Sequence, residues 1–196
     1  MNRRLVIASN NPGKLREIGQ MLSPLRIDVV PQAALNVPEA DEPHRTFLEN
    51  ALAKSRLAAR LTGLPALADD SGICVDALNG APGVDSAHFA GEPRSDERNN
   101  LLLLRRLAGE RNRRAHYYCV MVLMKHAEDP QPLIGEGEWH GEILQAPRGA
   151  DGFGYDPLFF DPLLGMSGGE LEPAEKNRVS HRAKALAAIV ARLTPA

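Results

Sequence analysis

Two adjacent aspartates, Asp69 and Asp70, interrupt an apolar stretch: residues 64–68 lead in, and Ile73, Cys74 and Val75 follow Ser71-Gly72. Aspartate is rarely fully buried without a partner, because desolvating an unpaired carboxylate is costly. A metal ion is one such partner, and Mg²⁺ favours one or two carboxylates together with substrate phosphates. A strand-ending turn explains the same residues without chemistry, since Asp, Ser and Gly are common turn formers. Either way, the pair is expected at a kink between two buried strands.

A second candidate is Ser9-Asn10-Asn11-Pro12-Gly13-Lys14, between the apolar residues 5–8 and a helical pattern carrying Leu15, Ile18 and Leu22. The N–H groups and dipole of a helix start favour an anion there. This is not a P-loop: Leu15 follows Gly13-Lys14 in place of Ser or Thr, and Ala8 stands where the first glycine would be. The commoner explanation of such a loop is a plain strand-to-helix connection.

A third candidate covers residues 149–157, where small residues surround Phe153, Tyr155, Asp151 and Asp156. Such a loop serves a flat ligand or simply buries its aromatics. Last, Ser180 caps a helix over residues 183–193 with His181 and Arg182 in its first turn. Cations there oppose the helix dipole. An anionic or carbonyl-bearing ligand would favour that placement.

The elements that must hold these residues follow from composition and periodicity. A chain of 196 residues is long enough for a real core, in one domain or one domain with two lobes. Its 24% charged residues sum to a net charge of −2, so no basic balance points to nucleic acid. Cys74 and Cys119 lie in apolar surroundings and read as core thiols of a reducing compartment. The apolar run after Met1-Asn2-Arg3-Arg4 is too short for a signal peptide, and no segment is long enough to span a bilayer. The cytoplasm is the expected location.

Strands are expected over residues 5–8, 27–30 and 116–125, with a Gly-interrupted strand pair over 133–144 that carries Trp139. Helices are expected over residues 14–22, 45–61, 95–107 and 183–193, with a short piece from Pro173. Glu49 and Lys54 have the spacing of a surface helix pair, and Glu39 and Asp41 read as solvated acids in a polar connection. A β-rich middle between helical ends indicates an α/β or α+β chain.

Six motifs together carry a resemblance. They are Ser9-Asn10-Asn11-Pro12-Gly13-Lys14, Thr46-Phe47-x-Glu49-Asn50-Ala51-x-x-Lys54, Ala68-Asp69-Asp70-Ser71-Gly72, Gly80-Ala81-Pro82-Gly83, Gly152-Phe153-Gly154-Tyr155-Asp156-Pro157 and Ser180-His181-Arg182. In this order they closely resemble the inosine/xanthosine triphosphate pyrophosphatases. The resemblance implies an α/β fold with an elongated mixed central β-sheet, flanking helices and two lobes around a substrate cleft. Residues 1–196 would form a single NTP pyrophosphatase domain. It also implies a cytoplasmic homodimer and Mg²⁺-dependent hydrolysis of ITP, dITP or XTP to the monophosphate and pyrophosphate, which removes deaminated purines from the nucleotide pool.

Carried over by motif, Ser9, Asn10, Asn11, Pro12, Gly13 and Lys14 would bind the triphosphate. Asp70 resembles the catalytic carboxylate, with Ser71 a substrate contact and Glu42 a second metal-side acid. Lys54 and Asp69 would support the same site. Phe153, Gly154, Tyr155, Asp156, Lys176, His181 and Arg182 would form the base pocket and its link to the phosphates. Pro43-His44 follow Glu42 where the family usually carries Thr-Gly or Asp-Gly, so the loop backbone differs and Asp41 is the alternative to Glu42.

Pyrophosphohydrolysis needs an activated water in line with the leaving pyrophosphate and a metal to absorb developing charge. Asp70 has two available roles, metal ligand or proton acceptor from water. Lys14 and Lys54 can neutralise phosphate as point charges. Donors at a purine 6-oxygen, from Arg182 and the backbone, would oppose the 6-amino group of adenine, a mismatch worth up to roughly 10⁴-fold. Two other readings compete. A pyrimidine or modified-nucleotide pyrophosphatase of the septum-inhibitor type typically opens Ala-Ser-x-Ser-Pro-Arg-Arg, against Ala8-Ser9-Asn10-Asn11-Pro12-Gly13-Lys14 here. A non-catalytic nucleotide- or RNA-binding module has no need of Asp70 and Glu42, and no basic stripe supports RNA.

Overall fold

The computed structural model describes residues 3–193; Met1 and Asn2, which open the expected N-terminal segment, and residues 194–196 lie outside the described residues. The chain runs β1 (Arg3–Ile7), α1 (Pro12–Leu22), β2 (Ile27–Pro31), α2 (Phe47–Thr62), β3 (Ala66–Val75), α3 (Asp96–Arg106), β4 (Arg114–Met124), β5 (Leu133–Ile143), β6 (Phe159–Asp161), β7 (Met166–Ser167), α4 (Pro173–Val179) and α5 (His181–Leu193). The strands form a seven-stranded sheet in the order β2-β1-β3-β4-β5-β6-β7. β1 pairs parallel with β2 and β3, and β6 pairs antiparallel with β5 and β7, so the sheet is mixed. No helix among the described residues is long and apolar enough to cross a membrane.

Local signals explain the helix boundaries. The Asn11 side chain accepts hydrogen bonds from the Gly13 and Lys14 N–H groups at the start of α1, where Pro12 fits the first helical position. Thr46 and Ser95 cap α2 and α3 in the same manner, and Gly63 ends α2 at φ 67°. That left-handed backbone favours glycine.

The chain divides into two compact units, Met1–Asp70 with Cys119–Gly137 and Arg182–Ala196, and Ser71–Tyr118 with Glu138–His181. The core of the first gathers Leu5, Ile7, Ile18, Leu22, Leu67, Met121, Leu186 and Ile189. Its inner strands read as continuous apolar runs, as parallel strands buried on both faces do. The core of the second gathers Ile73, Val75, Leu103, Tyr117, Trp139, Tyr155 and Phe159. The Trp139 indole N–H, which needs an acceptor when buried, donates to Asp161 Oδ2 at 2.7 Å.

Two expectations are corrected. Asp69 and Asp70 stand inside one continuous ten-residue strand, β3, with no kink between two strands. Residues 133–143 form one strand and not a pair: Gly135 and Gly141 let other backbone approach. A Cβ on Gly135 would stand 2.2 Å from the Ala185 carbonyl oxygen, and one on Gly141 2.3 Å from that of Phe160. The short β6 and β7 had no sequence expectation.

Candidate functional site

Successive side chains of a strand point to opposite faces, so β3 sends its two carboxylates in different directions. Asp70 meets α2. Lys54 Nζ lies 2.8 Å from its Oδ1, and Asn50 Nδ2 donates to its Oδ2 at 3.3 Å. Asn50 and Lys54 are four residues apart on α2 and therefore share a helix face. The expected Glu49–Lys54 surface pair gives way to this arrangement: Glu49 turns back to accept a hydrogen bond from Thr46 Oγ1 at 2.6 Å.

Lys54 Nζ also lies 2.6 Å from Glu42 Oε2. Glu42 thus reaches the acidic strand through Lys54, while Asp41 stays exposed with Glu39. The Pro43-His44 departure is accommodated by Asn50, whose amide accepts from the His44 N–H at 3.2 Å and donates to the His44 carbonyl at 3.2 Å. One α2 residue thereby ties the Glu42 loop to Asp70.

Asp69 faces other cations. Lys14 Nζ is 3.1 Å from its Oδ2, and Arg182 contacts the same oxygen at 3.3 Å. Arg182 is fully buried and also pairs with Glu17, on the α1 turn that follows Lys14. The described partners of the Arg182 guanidinium are therefore acids.

These surroundings separate the two carboxylates. Burial alone would raise Asp69, but Lys14, Arg182 and Lys54 outweigh it and hold the carboxyl well below the usual range. For Asp70, burial dominates; Lys54 and Lys14 oppose it, nearby Glu42 adds to it, and the carboxyl is pushed up to about 6. Burial works against the charge on Lys54, yet Asp70 and Glu42 leave its pKa above the ordinary value.

The remaining phosphate-loop residues make local contacts. Ser9 Oγ accepts from the Asn11 N–H at 3.2 Å, and Asn10 Oδ1 accepts from Gln32 Nε2 at 3.1 Å. Asn11 Oδ1 itself accepts from the Gly13 and Lys14 N–H groups, so these two donors of the helix start are already engaged. Ser71 is half-buried and begins the second unit.

The second unit brings the aromatic loop together with Lys176 and His181. Lys176 Nζ stands 4.7 Å above the Phe153 ring and 2.5 Å from Asp156 Oδ2. The Phe153 N–H donates to the same carboxylate oxygen at 2.8 Å. Helix α3 grips the next residue: Asp96 Oδ2 accepts from the Gly154 N–H at 2.7 Å, and Asn100 Nδ2 donates to the Gly154 carbonyl at 2.8 Å. Tyr155 points inward, its hydroxyl donating to the Ser86 carbonyl at 2.8 Å. His181 stacks on Tyr117 with ring centroids 4.6 Å apart.

Sequence reasoning missed Glu17, Asn50 as a site residue, Asp96, Asn100 and Tyr117. The first two carried a signal, since Glu17 stands three residues from Lys14 and Asn50 four from Lys54. The others are joined to the loop only by tertiary contact.

Among the described residues no three His, Cys, Asp or Glu side chains gather as a metal cage. The Asp70 and Glu42 oxygens nevertheless converge on one cation, the Lys54 ammonium, and hard oxygen donors of this kind suit Mg²⁺, which retains water and phosphate ligands.

The first unit thus carries an acid-and-lysine centre and the second an aromatic–lysine–carboxylate cluster, on an α/β fold with a mixed sheet. The chain belongs to the Ham1 family, whose family model matches residues 5–192. It is 62% identical over 196 residues to the dITP/XTP pyrophosphatase of Aromatoleum aromaticum, covering 100% of this chain and 99% of that protein. It is 63% identical to the dITP/XTP pyrophosphatase of Chromobacterium violaceum, covering 97% and 96% respectively. Among solved structures, a HAM1 protein from Coxiella burnetii matches with a TM-score of 0.91 and 45% identity, covering 99% of this chain and 100% of that one.

Proposed function

We propose that this chain hydrolyses non-canonical purine nucleoside triphosphates, ITP, dITP and XTP, to the monophosphate and pyrophosphate, clearing deaminated purines from the nucleotide pool. The relatives named dITP/XTP pyrophosphatase, matched over nearly their whole length, support the reaction class. The observation that carries the chemistry is the separated carboxylate pair: Asp69 is locked by Lys14 and Arg182, while Asp70 is raised to about 6 beside Lys54 and Glu42. A carboxylate near neutrality is suited to proton transfer.

In this reading Asp70 accepts the proton of the attacking water. Lys14, with Ser9, Asn10 and the rest of the loop through Asn11, Pro12 and Gly13, holds the triphosphate, and Ser71 contacts the substrate. Lys54 bridges Asp70 and Glu42 and offsets their repulsion. Asp70 and Glu42 would hold Mg²⁺, which when bound neutralises charge on the triphosphate and leaving pyrophosphate.

Phe153 offers its ring to the purine. Gly154 and Tyr155 fix the loop, and Asp156 holds Lys176 against the Phe153 ring. His181 presents a ring N–H to the base, and Arg182 holds Asp69. Donors at the 6-oxygen favour oxopurines over adenine. Two free thiols among the described residues support a reducing cytoplasm, and the reading includes a homodimer.

The test is product analysis of ITP and ATP incubations with Mg²⁺. IMP and pyrophosphate with little ATP cleavage are expected. IDP and orthophosphate would overturn the reaction, and turnover of UTP or TTP alone would favour a pyrimidine enzyme.

A further inference from the structure

Both carboxylate oxygens of the buried Asp156 are engaged. Its Oδ2 takes the Lys176 ammonium and the Phe153 N–H, at 2.5 and 2.8 Å. Gly152 and Gly168 leave it room: a Cβ on Gly152 would stand 2.3 Å from Oδ2, and one on Gly168 3.1 Å from Oδ1. The other oxygen, Oδ1, accepts from the Tyr117 hydroxyl at 3.2 Å. Tyr117 also lies face to face with His181, interplanar angle 7°.

Tyr117 is a β4 residue that packs on Trp139 and Phe159, with centroids 6.1 and 4.8 Å away. A phenylalanine would satisfy that packing equally well. Among the described contacts the hydroxyl donates to Asp156, and the flat ring face stacks on the imidazole. A single side chain thus fixes the carboxylate that holds Lys176 against Phe153 and, separately, the plane of His181.

We infer that Tyr117 is a positioning residue for base selection: its hydroxyl sets Asp156 and its ring sets His181, so both polar parts of the base pocket keep one geometry. The inference rests on the base-pocket reading given above. Loss of the hydroxyl removes this donor from Oδ1 and lets the carboxylate rotate about its contacts with Lys176 and the Phe153 N–H, while the stack on His181 persists. Loss of the ring frees His181 as well. Selection among purines, which depends on donor placement, suffers before turnover does.

The experiment compares kcat/KM for ITP and ATP in wild-type protein, Tyr117→Phe, Tyr117→Leu and Asp156→Asn, with a melting curve for each. Tyr117→Phe keeps the core ring and is the decisive variant if Tyr117→Leu does not fold. The expected result is a fall of about three- to tenfold in the ITP-to-ATP ratio for Tyr117→Phe, through a higher KM for ITP at little-changed kcat, and a larger fall for Tyr117→Leu. A Tyr117→Phe protein with a lower melting temperature and an unchanged ratio would overturn the inference, leaving the hydroxyl a stability element. If Asp156→Asn also leaves the ratio unchanged, the base-pocket reading itself fails. A ratio altered in Asp156→Asn alone rejects only the role of Tyr117.

Discussion

Asp69 and Asp70 are neighbours in β3 with identical side chains, yet the first is held well below the ordinary carboxylate range and the second is raised to about 6. The strand's alternation gives them different partners. Asp69 has Lys14 and Arg182, whereas Asp70 shares Lys54 with Glu42. Environments that push two titratable groups apart are how one site obtains both a fixed charge and a proton acceptor.

If Asp70 is the proton acceptor, Asp70→Asn should lower kcat by roughly 10²–10⁴-fold, the range for removing a general base. The variant keeps the side chain's shape and should retain its circular dichroism spectrum and bind nucleotide. Turnover within a few-fold of wild type would remove Asp70 from the chemistry.

The raised pKa of Asp70 also sets a pH trend for the metal-free fold. Its folded value of about 6 exceeds the ordinary 3.8, so the folded state binds the proton more tightly. Stability from this group is present below about pH 4 and lost as pH rises through about 6. Asp69 runs the other way, its contribution present above its ordinary pKa and lost in strong acid. In EDTA, the stability of wild type relative to Asp70→Asn should therefore fall by roughly 1–3 kcal/mol between about pH 4 and pH 7. Urea titrations at several pH values measure it, and parallel slopes for the two proteins would contradict the raised pKa.

Arg182 is buried against Asp69 and Glu17. Arg182→Ala strands those carboxylates with less countercharge and should cost about 3–5 kcal/mol, as breaking a buried pair does. Arg182→Lys should recover only part of it, because an ammonium lacks the planar fork that meets two acids. The variants should also narrow the preference for ITP over ATP. Denaturant midpoints and paired kcat/KM values test both, and an Arg182→Ala midpoint equal to wild type would show the pairs to be dispensable.

Gly152 sits at φ 82°, with Asp156 Oδ2 where a Cβ would go. Gly152→Ala must strain the backbone or displace the carboxylate, at about 1–3 kcal/mol. Gly154 is also left-handed, at φ 64°, but nothing stands within 4 Å of its Cβ position. Gly154→Ala should therefore preserve the ITP-to-ATP ratio better than Gly152→Ala does. Steady-state kinetics on the two variants decides, and equal losses would separate the pocket from Asp156.

Much of the frame was legible because its signals are local. Asn11, Thr46, Ser95 and Gly63 mark helix ends through contacts within a few residues. β3 looked broken at Asp69 because the cations that make two buried acids tolerable come from α1, α2 and α5, distant in sequence. Lys54 looked like a surface pair for Glu49 because helical spacing cannot show that Asp70 lies opposite. β6 and β7, three and two residues long, are too short to carry a period. Tyr117 read as an ordinary sheet residue because its hydroxyl partner lies 39 residues away.

The most direct test of the central claim is turnover of ITP with Mg²⁺ in ¹⁸O-labelled water, reading by mass spectrometry which product carries the label. In the proposed mechanism water activated by Asp70 and directed in line with the leaving pyrophosphate would attack the α-phosphorus, so the label is predicted in the phosphate of IMP. Label in pyrophosphate would place the attack on the β-phosphorus and contradict the account.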